Sequence, residues 1–347
     1  MLRKVAPTVL FIGAINQFNS PNGGEEYKNQ LIFKRINYVH TKKSYIDTHD
    51  WKSNPKVLLS LIFNLFFMKW DGILLSTSSV SAYRLICLVK LLKPSLLSKL
   101  SYLVVGGYFP EGIRKREFKW GNYIALKNII VQGDILKQQL LECTELKNVE
   151  VIPNFKRFDY ELTLKESDCN SFTFVFISRI SKSKGIFEII EAVRVLKTLN
   201  SELNFAVDFY GPIEEEIKLP EDLPLIYKGY LDIMNNQQES YETLAEYSCM
   251  LFPTYWKGEG FPGVIIDAYV AGLPVIATDW NMNKEVVEDG ETGIIIPIKD
   301  ARALASAMLK MIENPEFVAT MSQNSLNKAK DFHIDAVWPQ IEKLIYR

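Results

Sequence analysis

Short apolar runs alternate with helix-period segments along almost the whole of this chain, and the alternation runs twice. Strands are predicted at Thr8–Ala14, Gly72–Ser76, Ser101–Val105, Asn128–Gln132 and Glu150–Pro153. Between them lie helix patterns at Glu25–Arg35, Val57–Met68, Val80–Leu92 and Asp134–Cys143. Parallel strands need a crossover of about a dozen residues or more, and helices of this length supply it. From Phe172 the pattern restarts with strand Phe172–Ser178, helix Gly185–Leu199, strand Phe205–Gly211 and helix Glu239–Tyr247. Strands Cys249–Pro253 and Pro274–Thr278 follow, and helices Ala301–Glu313, Pro315–Lys330 and Asp335–Tyr346 close the chain. The expected fold class is α/β, with two doubly wound domains over residues 1–164 and 165–332 and a last helix in 333–347. The polar stretch Lys165–Ser171 reads as the linker. Ligands of open α/β sheets bind beyond the carboxyl ends of the strands, so the cleft between the domains is the expected site.

Composition removes several function classes. A length of 347 residues suits two domains, and 48% hydrophobic with 23% charged residues suits an ordinary globular core. The cysteines Cys87, Cys143, Cys169 and Cys249 form no C-x-x-C pair, and the three histidines, His40, His49 and His333, have no ligand spacing. A disulfide framework or a zinc site has little to build on. Met1 to Ile15 looks superficially like a signal peptide, but a first buried strand explains Thr8–Ala14 as well and is the preferred reading. Val57–Met68 is intensely apolar yet too short to span a bilayer. The formal net charge of −1 hides an asymmetry: 21 Lys and Arg stand against 11 Asp and Glu through Phe155, and 19 against 30 after it. Opposed halves suggest different partners for the two domains.

The segment from Trp256 to Ala277 carries the densest chemistry. It places Glu259 in a Gly-rich loop and Asp267 one turn into the helix that follows. Pro262 suits the first helical position. Gly263 and Asp267 share a helix face, and helical side chains lean toward the N-terminus, so the Asp267 carboxylate can reach the helix mouth. Free amides at that mouth suit a phosphate. Read alone, Gly258-Glu259-Gly260 is equally a plain turn, and an early acidic residue is often only a partner of the helix dipole.

Upstream, Arg179 ends a strand and Lys184-Gly185 opens a helix. A fork and a point charge five residues apart can face one diphosphate, or can form a solvated basic loop. Asn16 to Gly24 is a Gly-ended loop after the first strand, where Gly23 and Gly24 permit close backbone approach to a ligand or a tight turn.

Together these residues carry a resemblance. Arg179 with Lys184-Gly185, then Tyr210-Gly211-Pro212, then Gly258-Glu259-Gly260-Phe261 through Asp267-Ala268 to Ala271-Gly272-Leu273-Pro274-Val275-Ile276, resembles the family-4 glycosyltransferases. These are retaining enzymes of the GT-B fold, with two Rossmann-like domains. The match spans most of Phe172 to Glu313, with Gly23-Gly24 and Val151-Ile152-Pro153-Asn154 fitting more weakly. By this resemblance the first domain binds the acceptor, the second binds the donor, and Asp335–Tyr346 crosses back to the first domain. Glu259 is the implied catalytic residue, contacting the donor sugar and helping to hold the transition state. Gly260, Phe261 and Pro262 would line the sugar site, and Asp267 would bond the ribose hydroxyls. Arg179, Lys184 and the amides of Gly263 and Val264 would hold the diphosphate, with Gly211 and Tyr230 as nucleotide-loop candidates. Gly23 and Gly24 would form the first-domain loop at the cleft. No bound metal or other cofactor is implied, and no D-x-D motif is present. Two departures stand out. Asp267 is one methylene shorter than the family's usual Glu, so its ribose contact is expected to be longer or water-bridged. The first-domain His that many members carry has no counterpart around Val105–Pro110.

The implied function is transfer of a sugar from a nucleotide-diphosphate sugar to a glycan acceptor, lipid-diphosphate-linked, in bacterial surface polysaccharide assembly. The partners are then donor and glycan, with no nucleic acid. Lys90, Lys93 and Lys99 among the leucines of Leu85–Leu100 would meet an anionic membrane surface, or are solvated lysines on core helices. The implied location is cytoplasmic, peripheral on the inner face of the plasma membrane. The competing readings are a sugar-nucleotide 2-epimerase of the same architecture, and a non-catalytic sugar-nucleotide or glycan-binding protein.

Overall fold

Strand β1 (Val9–Gly13) is buried at every position, as a central strand covered on both faces must be. The computed structural model that places it describes residues 8–16, 19, 21, 23–39, 43–49, 51, 54–159, 171–214 and 216–346. β1 pairs in parallel with β2 (Lys43–Asp47) on one side and β3 (Gly72–Ser78) on the other. The sheet continues through β4 (Leu100–Val105), β5 (Asn128–Val131) and β6 (Val149–Val151) in the order β2-β1-β3-β4-β5-β6. Helices α1 (Gly24–Val39), α2 (Pro55–Phe67), α3 (Ser79–Leu92), α4 (Phe109–Arg114) and α5 (Asp134–Leu141) supply the crossovers. The order reverses between β1 and β3, as in the flavodoxin-like winding.

The second sheet contains β7 (Phe172–Ile177), β8 (Phe205–Tyr210), β9 (Leu225–Gly229), β10 (Cys249–Phe252), β11 (Val275–Thr278) and β12 (Gly293–Ile296). Its order is β12-β11-β10-β7-β8-β9, all parallel, which is the Rossmann winding with its reversal between β7 and β10. Helices α6 (Ile186–Leu199), α7 (Gln237–Leu244), α8 (Gly263–Val270), α9 (Asn283–Val286), α10 (Ala301–Glu313) and α11 (Pro315–Ala329) accompany it. Phe174, Phe176, Ile189, Val193, Leu251 and Met308 are among the side chains of its core.

The chain divides into two compact units, one ending at Arg157 and resuming at Ile334, the other Phe158–His333. The divide falls before the expected boundary at 164–165, and residues 160–170, with most of the predicted linker, lie outside the described residues. The last helix, α12 (Ile334–Tyr346), belongs to the first unit. Its residues Ile334, Val337, Trp338, Ile341 and Ile345 join Val9, Phe11, Leu74 and Leu103 in one core. Its C-terminal carbonyls are satisfied by that unit: Asn128 Nδ2 donates to Leu344 O at 2.8 Å and Lys127 Nζ to Ile345 O at 2.7 Å. A Cβ on Gly72 would stand 2.8 Å from the Ile345 carbonyl oxygen, so the helix lies directly on the start of β3.

Several elements escape the sequence reading for identifiable reasons. Lys43-Ser44-Tyr45-Ile46-Asp47 forms β2 despite its charges because it is a sheet edge. β9 is likewise an edge, largely exposed at its centre, and lacks an apolar run. β12 is a Gly-Ile-Ile-Ile strand of four residues. α4 contains Pro110 and Gly112. Helix α8 starts at Gly263, so Pro262 is its N-cap with extended ψ (103°), and not its first helical residue.

Candidate active site

Three loops leave the carboxyl ends of β7, β8 and β10 at the reversal of the second sheet, and backbone contacts lock them together. Tyr255 N donates to Ser183 O at 2.9 Å, and Ile180 N to Pro212 O at 2.8 Å. Gly185 N-caps α6 at φ +85°, and a Cβ there would stand 2.3 Å from the Pro253 carbonyl oxygen. Gly211, at φ +129°, would bring a Cβ within 2.0 Å of the Ser178 carbonyl oxygen. Both glycines are required by close approach of chain to chain, and the predicted nucleotide-loop role of Gly211 has this structural reason beside it.

Glu259 sits in this frame, 9% exposed. Its Oε2 is held by two donors: Lys184 Nζ at 2.5 Å and Thr254 Oγ1 at 3.1 Å. Its backbone is fixed on both sides, with Glu259 N donating to Trp256 O at 3.0 Å and Asn281 Nδ2 to Glu259 O at 2.9 Å. Oε1 has no hydrogen-bond partner among the described residues. The Lys184 ammonium also lies 4.7 Å from the Trp256 ring centre and 5.9 Å from that of Phe252, a cation–π seat that desolvation strengthens. One carboxylate oxygen is thus anchored and the other is open to a ligand.

The remaining predicted residues fall into distinct environments. Arg179 follows β7, is exposed, and makes no ion pair or hydrogen bond among the described residues. Gly263 and Val264 form the first turn of α8, half-buried, where amides have no acceptor within the helix. Gly260 is half-buried, whereas Phe261 and Pro262 are buried. The Phe261 ring packs edge-on against Phe332 at 5.6 Å, so a ligand would meet this stretch through its backbone. Asp267 is 3% exposed, and its Oδ1 accepts from the fully buried Tyr241 hydroxyl at 3.0 Å. Tyr230 follows β9 and is 71% exposed. In the first unit, Gly23 and Gly24 open α1, and a Cβ on either would meet nothing within 4 Å. Residues 17, 18, 20 and 22 of that loop lie outside the described residues. Among the described residues there is no group of three or more His, Cys, Asp or Glu that could hold a metal.

Thr254, Trp256, Asn281 and Tyr241 support the site without having been assigned a role from the sequence. Trp256 carried a signal, as an aromatic residue three before the loop carboxylate. Trp280 Nε1 also donates to Trp256 O at 2.8 Å, so a second indole props this turn.

Residues 161–328 match the family of glycosyl transferases, group 1. The match falls on the second unit, which resembles the group 1 glycosyl transferases. The capsular polysaccharide biosynthesis glycosyltransferase CapM of Staphylococcus aureus is 25% identical over 63% of this chain and 59% of its own length. An α-1,4-N-acetyl-D-galactosaminyltransferase of Campylobacter jejuni, named for an undecaprenol-diphosphate-linked glycan, is 23% identical over 58% of this chain and 55% of its own length. The chain spans little more than half the length of these curated relatives. Among solved structures, HepE of Anabaena in complex with UDP is similar with a TM-score of 0.67 at 15% identity, covering 97% of this chain and 98% of that one. Both parallel six-stranded sheets and this likeness give the GT-B architecture.

Proposed function

We propose that this protein is a retaining, metal-independent glycosyltransferase that moves a hexose-type sugar from a nucleotide-diphosphate sugar to a glycan acceptor. The observation that carries the reading is the Glu259 carboxylate, anchored through Oε2 by Lys184 and Thr254 with Oε1 left for a ligand. The anomeric carbon–oxygen bond to the diphosphate breaks while the acceptor oxygen bonds to the same face of that carbon. The acceptor proton passes to the departing diphosphate oxygen, so no separate nucleophile is needed. Negative charge grows on the diphosphate, and Arg179, Lys184 and the Gly263 and Val264 amides are the groups to receive it. Glu259 offers a fixed negative charge and an acceptor to the sugar as positive character develops at its anomeric centre. Asp267 reaches the ribose from beneath the helix mouth, held by Tyr241.

The relatives favour a lipid-diphosphate-linked glycan as acceptor and bacterial surface polysaccharide as product, since those are the chemistries in the names of the Campylobacter and Staphylococcus proteins. A cytoplasmic enzyme, peripheral on the inner membrane face, follows from such an acceptor. A uridine nucleotide is the first donor to test, because HepE binds UDP. The experiment is a panel of UDP-, GDP- and other nucleotide sugars, scored for binding and slow hydrolysis with and without a chelator. Turnover of one donor, insensitive to chelation, is the expected result. Binding of none, or turnover that needs a divalent cation, contradicts the reading.

A further inference from the structure

Helix α2 is apolar on both of its faces. Leu61 and Leu65 face inward with Asn64 and are buried. Leu59, Phe63, Phe66 and Phe67, spaced i, i+4, i+7 and i+8, share the opposite face and are 66%, 55%, 45% and 73% exposed. A helix apolar all round is ordinarily enclosed, and aromatic patches of this kind on a soluble surface mark a docking site. The Phe63 and Phe67 rings lie 5.3 Å apart and form one continuous ridge.

The charges around this ridge identify what covers it. From Trp51 to Pro110 the chain carries seven Lys and Arg and one acidic residue, Asp71, which is tied to the Thr8 amide at 2.7 Å. Lys56 and Lys69 are exposed at the two ends of α2. Lys93 donates to Leu65 O at 2.7 Å and stands 6.0 Å from the Phe66 ring centre, and Leu91, two residues earlier, is 80% exposed. A second copy of this chain would bring the same lysines face to face, which like-charge repulsion opposes. An anionic bilayer meets both properties, its acyl region taking the rings and its headgroups the ammonium groups.

We propose that the outer face of α2 lies in the interface of an anionic membrane, with Leu59, Phe63, Phe66 and Phe67 inserted and Lys56 and Lys69 at headgroup level. The contact therefore sits on α2, and not on the Lys90, Lys93 and Lys99 helix expected from the sequence. Lys93 and Lys99 instead brace the C-terminal end of α2 through Leu65 O and Trp70 O, and Lys90 bonds Asn122. Its biological use rests on the lipid-linked reading of the acceptor.

The test is co-sedimentation of the full chain with phosphatidylcholine vesicles, with and without phosphatidylglycerol. Wild-type protein is expected to bind only the phosphatidylglycerol vesicles. F63S/F67S should weaken that binding at least tenfold, from the transfer energy of two rings. K56E/K69E should remove the lipid preference. Both positions of the aromatic pair are exposed, so F63S/F67S should keep the wild-type melting temperature and the wild-type rate of donor hydrolysis in solution. Indifference of wild-type protein to lipid charge, or equal binding by F63S/F67S, overturns the inference. So does a dimer in analytical ultracentrifugation that F63S/F67S dissociates. Donor hydrolysis is scored separately, so loss of the functional reading and loss of the membrane surface are distinguishable.

Discussion

Lys184 and Glu259, 75 residues apart in sequence, meet at 2.5 Å with both side chains nearly buried. The contact joins the loop after β7 to the loop after β10, and pairs a predicted phosphate ligand with a predicted sugar ligand. A donor diphosphate bound by Lys184, as proposed, would compete with Glu259 for its ammonium.

That competition is measurable. A double-mutant cycle on unfolding free energy with K184A, E259A and the double variant should give a coupling of roughly 1–3 kcal/mol in the free protein. Saturating nucleotide diphosphate should reduce the coupling, because Lys184 then shares its charge with phosphate. An unchanged coupling would mean that Lys184 serves Glu259 alone.

Arg179 has no partner to lose among the described residues, so its removal should leave stability intact. R179A should weaken nucleotide-diphosphate binding by about 1.5–3 kcal/mol, on the order of 10–100-fold in Kd. R179K should recover only part of this, lacking the planar fork. Calorimetric titration with nucleoside monophosphate and diphosphate checks the assignment: a loss equal for both would move Arg179 away from the second phosphate.

Tyr241 is fully buried, and its hydroxyl donates to Asp267 Oδ1 at 3.0 Å. Y241F leaves a buried carboxylate oxygen without that donor, and should destabilise the fold by about 1–3 kcal/mol. If Asp267 holds the ribose, the same variant should raise the donor KM with little change in kcat, and the effect should vanish for a 2′-deoxy donor. An equal effect on both donors would make the pair structural only.

Lys28, on α1 of the first unit, is 4% exposed, and burial pushes its ammonium down to about 8, with Glu25 opposing. The unfolded chain keeps that proton to about pH 10.4, so between the two values it binds more protons than the folded chain, and stability rises with pH. Glu25, whose carboxyl is raised by burial and partly relieved by Lys28, works the opposite way in acid: stability falls as pH climbs through the window above its ordinary value. Urea unfolding of wild type and K28M from about pH 7.5 to about pH 9.5 should show the wild type gaining on the order of 1–3 kcal/mol relative to the variant. Parallel curves would place the Lys28 titration elsewhere.

The repeated strand–helix alternation was legible because central parallel strands are continuous apolar runs. β1, β7, β10 and β11 announce themselves, while β2 and β9 do not, because an edge strand has no need of two buried faces. The site residues were legible as motifs within one loop and one helix mouth. Their partners were not: Lys184 with Glu259 and Tyr241 with Asp267 are joined by sheet order, which local pattern does not encode. Phe261 shows the converse limit, since a residue inside the motif turned out to pack against Phe332. α2 was visibly too apolar and too short to span a bilayer, but only the fold shows which of its faces is left uncovered.

In the proposed mechanism Glu259 acts on the sugar and not on the nucleotide. The direct test is donor binding and turnover by E259Q, which keeps the size of the side chain and its contact with Thr254. Nucleotide-diphosphate binding should stay within a few-fold of wild type, and sugar transfer or hydrolysis should fall on the order of 10²-fold or more. Wild-type turnover by E259Q, or loss of nucleotide binding with turnover per bound donor unchanged, would contradict it.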